Sequence, residues 1–127
     1  TEPGKTPLDS DPKATFGAYV EALNAFGLLY VHTIEGVTQQ TRDVPDSVDF
    51  GQIRERFRGA YIGNNQYTLE LAEKDLAEGR ADLFSFGRPY IANPDLVQRL
   101  EAGAPLAEAP KSYWYGGGTN GYSDCPA

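Results

Sequence analysis

Phe16, Tyr19, Val20, Leu23 and Phe26 recur at helical spacing along the first third of the chain. Asp11-Pro12 opens this stretch, with Asp11 placed as an N-cap and Pro12 at the first helical position, and Gly27 stops it. Leu28 to Thr33 is a short apolar run suited to a buried strand. Ile34 to Asp49 is polar and lacks periodicity, so it reads as a long loop, of the kind that is usually functional or disordered. A weak helix follows over Phe50 to Phe57, and Gly59 to Gly63 reads as a second strand. Asn64 to Tyr67 is a turn; Thr68 then caps a helix running through Glu78, with Leu69, Leu71, Ala72, Leu76 and Ala77 as its apolar positions and Gly79 as its stop. Asp82 to Phe86 is a third strand, broken by Gly87-Arg88-Pro89. Asn93 is placed as the cap of a last short helix, with Pro94 and Asp95 in its first turn and Gly103 beyond its end. The segment before Pro12, with three prolines, and the Gly-rich tail carrying Tyr113, Trp114, Tyr115 and Tyr122 read as loop.

Helices alternating with strands predict βαβ units and a parallel sheet, hence an α/β fold. The strands are apolar on both faces, as in sheets covered by helices or closed into a barrel. Three parallel strands cannot close a barrel, so the sheet is either open and doubly wound or part of something larger.

Composition narrows the function classes. At 127 residues with 40% hydrophobic and 12% aromatic content, one globular domain is expected. No apolar run reaches the roughly 18 residues that a membrane span needs, and Thr1 to Pro7 has no apolar core of a signal peptide. The formal net charge is −7 and the basic residues form no stripe, which argues against a nucleic-acid partner. A lone Cys125 and a lone His32 leave no disulfide framework and no cysteine or multi-histidine metal site. A reducing, cytoplasmic setting is the default expectation.

Two strand ends carry candidate chemistry. Gly63-Asn64-Asn65-Gln66 lies between a strand and a helix start, and Gly87-Arg88 ends the next strand. In (β/α) barrels a phosphate often sits at the last two such loops. Glycine admits close backbone approach, exposed amides and a helix start favour an anion, and an arginine fork matches phosphate oxygens. The competing reading is ordinary punctuation: an Asn-Asn turn, and an arginine that pairs with a surface carboxylate.

The longer string Ala-Asp-Leu-Phe-Ser-Phe-Gly-Arg-Pro-Tyr-Ile-Ala-Asn-Pro-Asp-Leu-Val at residues 81–97 closely resembles the last-strand signature of the Old Yellow Enzyme family. Gly121-Tyr122-Ser123-Asp124-Cys125-Pro126 resembles that family's C-terminal motif, with Cys125 where tyrosine is usual. Leu29-Tyr30-Val31-His32 is similar to the sixth-strand pattern, and Tyr61 to Thr68 to the seventh-strand loop. The matches are collinear and span almost the whole chain.

The resemblance implies the C-terminal part of a TIM (β/α)8 barrel, about three βα units corresponding to strands 6–8, within a single segment over residues 1–127. It implies FMN as cofactor and NADPH or NADH as reductant, acting on activated alkenes such as enones, enals, maleimides and nitroalkenes by hydride transfer from reduced FMN. It places the FMN phosphate against the backbone of Asn65 and Gln66 and of Gly87 and Arg88, with the Arg88 guanidinium adding a bond. Asn65 and Gln66 depart from the small residues that the family frequently has at that turn. Tyr115 matches the aromatic residue that reaches over the flavin near the substrate, Trp114 is expected to pack, and Cys125 to be inert. His32 is expected to be structural, and Glu35, at a strand end, to orient loop groups. The 34–49 loop would lie over the active-site mouth and shape the substrate pocket.

The family's flavin-contacting arginine, substrate-anchoring pair and tyrosine proton donor lie on earlier strands. No catalytic residue is therefore expected in this chain, and Thr1 to Asp11 resembles the loop after the fifth strand. Open parallel edges are an association liability. The expectation is a companion chain carrying strands 1–5, as in a split, cleaved or permuted enzyme, with the isolated chain inactive. Two rival readings stay open: a non-catalytic, self-associating partial barrel that holds a phosphate or flavin, and a different phosphate-binding barrel enzyme.

Overall fold

The computed structural model describes residues 9–36 and 48–114. The chain divides into two compact units, Thr1–Ser85 and Phe86–Ala127.

In the first unit, α1 spans Pro12–Leu23, and the Asp11 carboxyl accepts the Ala14 amide at 3.1 Å, so the expected cap is formed. A 3-10 turn over Asn24–Phe26 extends the helix, and Gly27 closes it at φ 62°. Strand β1 covers Tyr30–Ile34, α2 Phe50–Arg56, β2 Ala60–Asn64, α3 Leu69–Ala77 and β3 Leu83–Phe84. Thr68 caps α3 as expected, its hydroxyl accepting the Leu71 amide at 3.2 Å.

The sheet is parallel throughout, in the order β1-β2-β3. Its register aligns Tyr30 with Ala60, His32 with Ile62 and Leu83, and Ile34 with Asn64. The third strand is shorter than the expected Asp82–Phe86, and Asp82 joins β2 through both its backbone and its side chain. The Tyr61 amide donates to Asp82 Oδ2 at 2.8 Å, while the Asp82 amide donates to the Tyr61 carbonyl. Arg54 of α2 bonds the other oxygen of that carboxyl at 2.8 Å.

The core forms on one face only. Val20 of α1 and Ile53 and Phe57 at α2 cluster with Tyr61 of β2 and Ala81, and Leu23, Val31 and Phe84 pack against them. Among the described residues the helices cover one face of the sheet. Side chains alternate across a strand, and the row opposite the helices is open: Tyr30, Ile34 and Leu83 are 55%, 58% and 53% exposed.

A close approach fixes the entry to β2. A Cβ on Gly59 would lie 2.6 Å from the Leu29 carbonyl oxygen and 2.8 Å from that of Leu28. Asn24 secures the same region from the other side: its Nδ2 donates to the Arg56 carbonyl, and its Oδ1 accepts the Arg58 amide.

In the second unit, α4 spans Arg88–Ala92, α5 spans Leu96–Ala102, and a 3-10 turn covers Lys111–Tyr113. Helix α4 departs from the sequence reading, which took Gly87-Arg88-Pro89 only as a strand breaker; Pro89 falls in the helix's first turn, where its missing N–H costs nothing. Asn93 is not the cap of α5. It is fully buried and works as a clasp, its Nδ2 donating to the Pro89 and Ala107 carbonyls and its Oδ1 accepting the Ala107 amide. Asp95 precedes α5 instead, and its carboxyl takes Arg99 Nε at 2.7 Å, which holds it below the usual carboxylate range. No helix among the described residues is long and apolar enough to cross a membrane.

Candidate functional site

The turn after β2 is held in an unusual backbone state. Asn65 and Gln66 both have positive φ, 97° and 55°. Side chains with a Cβ rarely adopt this region, asparagine being among the more tolerant. The Asn65 side-chain amide donates to the backbone carbonyl of Glu35, just past the end of β1. The Glu35 amide in turn donates to the Asn64 carbonyl at 3.0 Å. The turn is thus tied to the neighbouring strand from both sides.

Glu35 is itself fixed from below. Its carboxyl accepts the Tyr61 hydroxyl at 2.8 Å and the Tyr67 hydroxyl at 2.8 Å. Thr33 donates to the Tyr61 oxygen, and the Tyr67 hydroxyl also lies 3.1 Å from Asp75 Oδ2 on α3. Tyr61, Glu35, Tyr67 and Asp75 are all buried. Burial, above all, pushes the Tyr61 phenol well above its ordinary value; the Thr33 hydrogen bond opposes this and Glu35 adds to it. The Tyr67 ring lies 4.5 Å from that of Phe84, and a Cβ on Gly63 would sit 3.1 Å from it. Small size at Gly63 therefore lets Tyr67 reach the carboxyl.

On the open row of the same sheet, His32 Nε2 lies 2.8 Å from Ser85 Oγ, and Asn64 Nδ2 donates to Ser85 through both its hydroxyl and its carbonyl. His32 is thereby held against β3 on the exposed row of the sheet.

In the second unit, Gly87 precedes α4 and has open space where a Cβ would point. The Arg88 guanidinium stacks over the Trp114 ring at 4.5 Å. Among the described residues Arg88 pairs with no carboxylate, so the surface-pair reading of this arginine is not realised there. Trp114 packs as expected, its Nε1 donating to the Ala109 carbonyl at 3.1 Å. Tyr115, Cys125, the 121–126 motif, Thr1 to Leu8 and most of the 34–49 loop lie outside the described residues. No group of His, Cys, Asp and Glu among the described residues is placed to hold a metal.

Residues 15–107 match the NADH:flavin oxidoreductase / NADH oxidase family. The chain belongs to this family. Relatives include 12-oxophytodienoate reductase 2 of Arabidopsis thaliana, 36% identical over 94% of this chain and 32% of that protein. The Old Yellow Enzyme homologue from Zymomonas mobilis superposes with a TM-score of 0.82 at 33% identity, covering 94% of this chain and 34% of that one. Morphinone reductase does so with a TM-score of 0.82 at 37% identity, over 94% and 32%. The chain thus spans about a third of the length of these Old Yellow Enzyme relatives, and its parallel α/β arrangement corresponds to part of their barrel.

An FMN phosphate fits what this Old Yellow Enzyme segment offers in each unit. A left-handed turn exposes Gln66 at the end of β2. Gly87 has room for close approach, and Arg88 carries a charge that no described carboxylate neutralises. Sequence reasoning named these residues but gave little to Tyr61, Tyr67 and Asp75, which fix the turn. Tyr61 lies on β2, Tyr67 on the segment between β2 and α3, and Asp75 on α3, and all three are polar side chains that turn inward.

Proposed function

We propose that this chain is the strand 6–8 portion of an FMN-dependent ene reductase that reduces activated C=C bonds with NAD(P)H. The collinear family match over residues 15–107 carries this reading. In it the backbone of Asn65 and Gln66 in the first unit, and of Gly87 and Arg88 in the second, ligate the FMN phosphate, and the Arg88 fork adds a charge-assisted bond. When bound, FMN supplies the hydride-transfer chemistry. The residues of this chain bind and orient; Tyr115 would contact the substrate, and the catalytic groups come from the rest of the barrel. Relatives named 12-oxophytodienoate reductase and morphinone reductase support reduction of a small organic molecule as the reaction class.

The open row of Tyr30, Ile34 and Leu83 supports further barrel strands packing on this sheet, here assigned to a companion polypeptide. The test is to assemble the chain with strands 1–5 and purify the product. Flavin absorbance that NAD(P)H bleaches and an enone restores is the expected result. A colourless assembly, or a different phosphorylated ligand bound through Arg88, overturns the reading.

A further inference from the structure

We infer that Glu35 is a positioning residue for the cofactor-phosphate turn, acting through the side chain of Asn65. This rests on the proposed function, in which the Asn65–Gln66 backbone meets the phosphate.

Two consecutive non-glycine residues in the left-handed region, Asn65 and Gln66, are strained and persist only where their surroundings over-determine them. Here the Asn65 side chain clasps the Glu35 carbonyl, and the Glu35 amide clasps Asn64. A carbonyl at a strand end is a poor anchor if that end frays. Glu35 cannot fray easily: its carboxyl is buried and receives two tyrosine hydroxyls, from β2 and from the segment leading into α3. The anchor thus spans β1, β2 and the α3 lead-in, and the turn inherits its rigidity. Glycine would reach the same φ without help but would have no side chain with which to be held. Asparagine at position 65 exchanges conformational freedom for a tether, and Glu35 is what the tether is tied to. A rigid turn presents its amides to an anion without an ordering cost at binding.

The experiment compares FMN with riboflavin, which lacks the phosphate, on the apo form of the assembled flavoprotein, using quenching of flavin fluorescence. Asn65→Ala removes the tether and keeps the strain. It is expected to weaken FMN by about tenfold, the equivalent of one lost hydrogen bond, and to leave riboflavin affinity unchanged. Asn65→Gly is expected to recover part of the loss, because glycine tolerates the φ. Glu35→Gln is expected to weaken FMN selectively too, and less so when Asn65 is already glycine, since the two act through one contact. FMN affinity equal to the parent's in Glu35→Gln overturns the role of Glu35, and if that variant fails to fold, Glu35→Asp is read in its place. Equal weakening of FMN and riboflavin reveals a general structural role and overturns the inference. Unchanged FMN affinity in Asn65→Ala overturns it as well, while the proposed function stands. A parent protein that binds riboflavin as tightly as FMN overturns the phosphate reading itself, and this inference with it.

Discussion

Tyr61 concentrates the chemistry of the first unit in one side chain. Its ring is fully buried, its oxygen accepts from Thr33, and its hydroxyl donates to Glu35. Burial raises the phenol's folded value above the ordinary one. Below pH about 10 the phenol keeps its proton in both states, and the full stabilisation is present. Above that, the unfolded chain releases the proton while the folded chain retains it, so stability falls as pH rises, by about 1.4 kcal/mol per pH unit for this one group. Urea midpoints between roughly pH 8 and 11 should therefore drop more steeply for the parent than for Tyr61→Phe. At neutral pH the same variant should be less stable by about 1–3 kcal/mol, because Glu35 loses a buried donor. Parallel alkaline slopes would show that Tyr61 ionises as readily folded as unfolded. At Arg88 the readout is binding: on the proposed function, Arg88→Gln should weaken FMN by roughly 10- to 100-fold, the cost of a charge-assisted bond, measured by fluorescence titration.

Among the elements, what was legible in the sequence is what is decided locally. The Asp11 and Thr68 caps form as their spacing predicts, because an N-cap bonds only two or three residues onward. Thr68→Ala should accordingly cost about 1 kcal/mol, seen as a lower urea midpoint with unchanged slope. The features that escaped are those decided at long range. Asn93 carries an N-cap signal, yet its side chain reaches residue 107 instead. Helix α4 hides behind a Gly-Arg-Pro string that also spells a break. Which face of β1 is covered depends on where α1 and α2 pack, and apolar residues at successive positions cannot report it. Of the site, Asn65, Gln66, Gly87 and Arg88 were nameable from motif, while the buried tyrosine–carboxyl support was not. The close pass at Gly59 is equally invisible in sequence, where it reads as a strand start. Gly59→Ala should destabilise by about 1–3 kcal/mol, since two of the obstructing atoms are backbone carbonyls that cannot swing away and the third belongs to the buried Phe57 ring. A midpoint within error of the parent would mean that the β1–β2 pair can separate locally.

At the scale of the molecule, the proposed function makes the open face of the sheet the surface on which the rest of the barrel packs. Tyr30, Ile34 and Leu83 are each more than half exposed on the row opposite α1 and α2. Burying a large apolar side chain contributes roughly 1.5–3 kcal/mol, so covering these three gives the remaining barrel strands a substantial driving force. The same row makes a sensitive place to block assembly. Ile34 is 58% exposed, so Ile34→Asp should disturb its own unit little, and the helical circular dichroism of the chain should stay at the parent level. Covering that aspartate would bury an unpaired charge, which costs far more than the lost apolar contact. The variant should therefore fail to pair with a segment carrying the other strands, and flavin content per chain should collapse. If Ile34→Asp assembles and carries flavin as the parent does, this row is not the surface on which the barrel is completed, and the sheet must close through its strand edges alone.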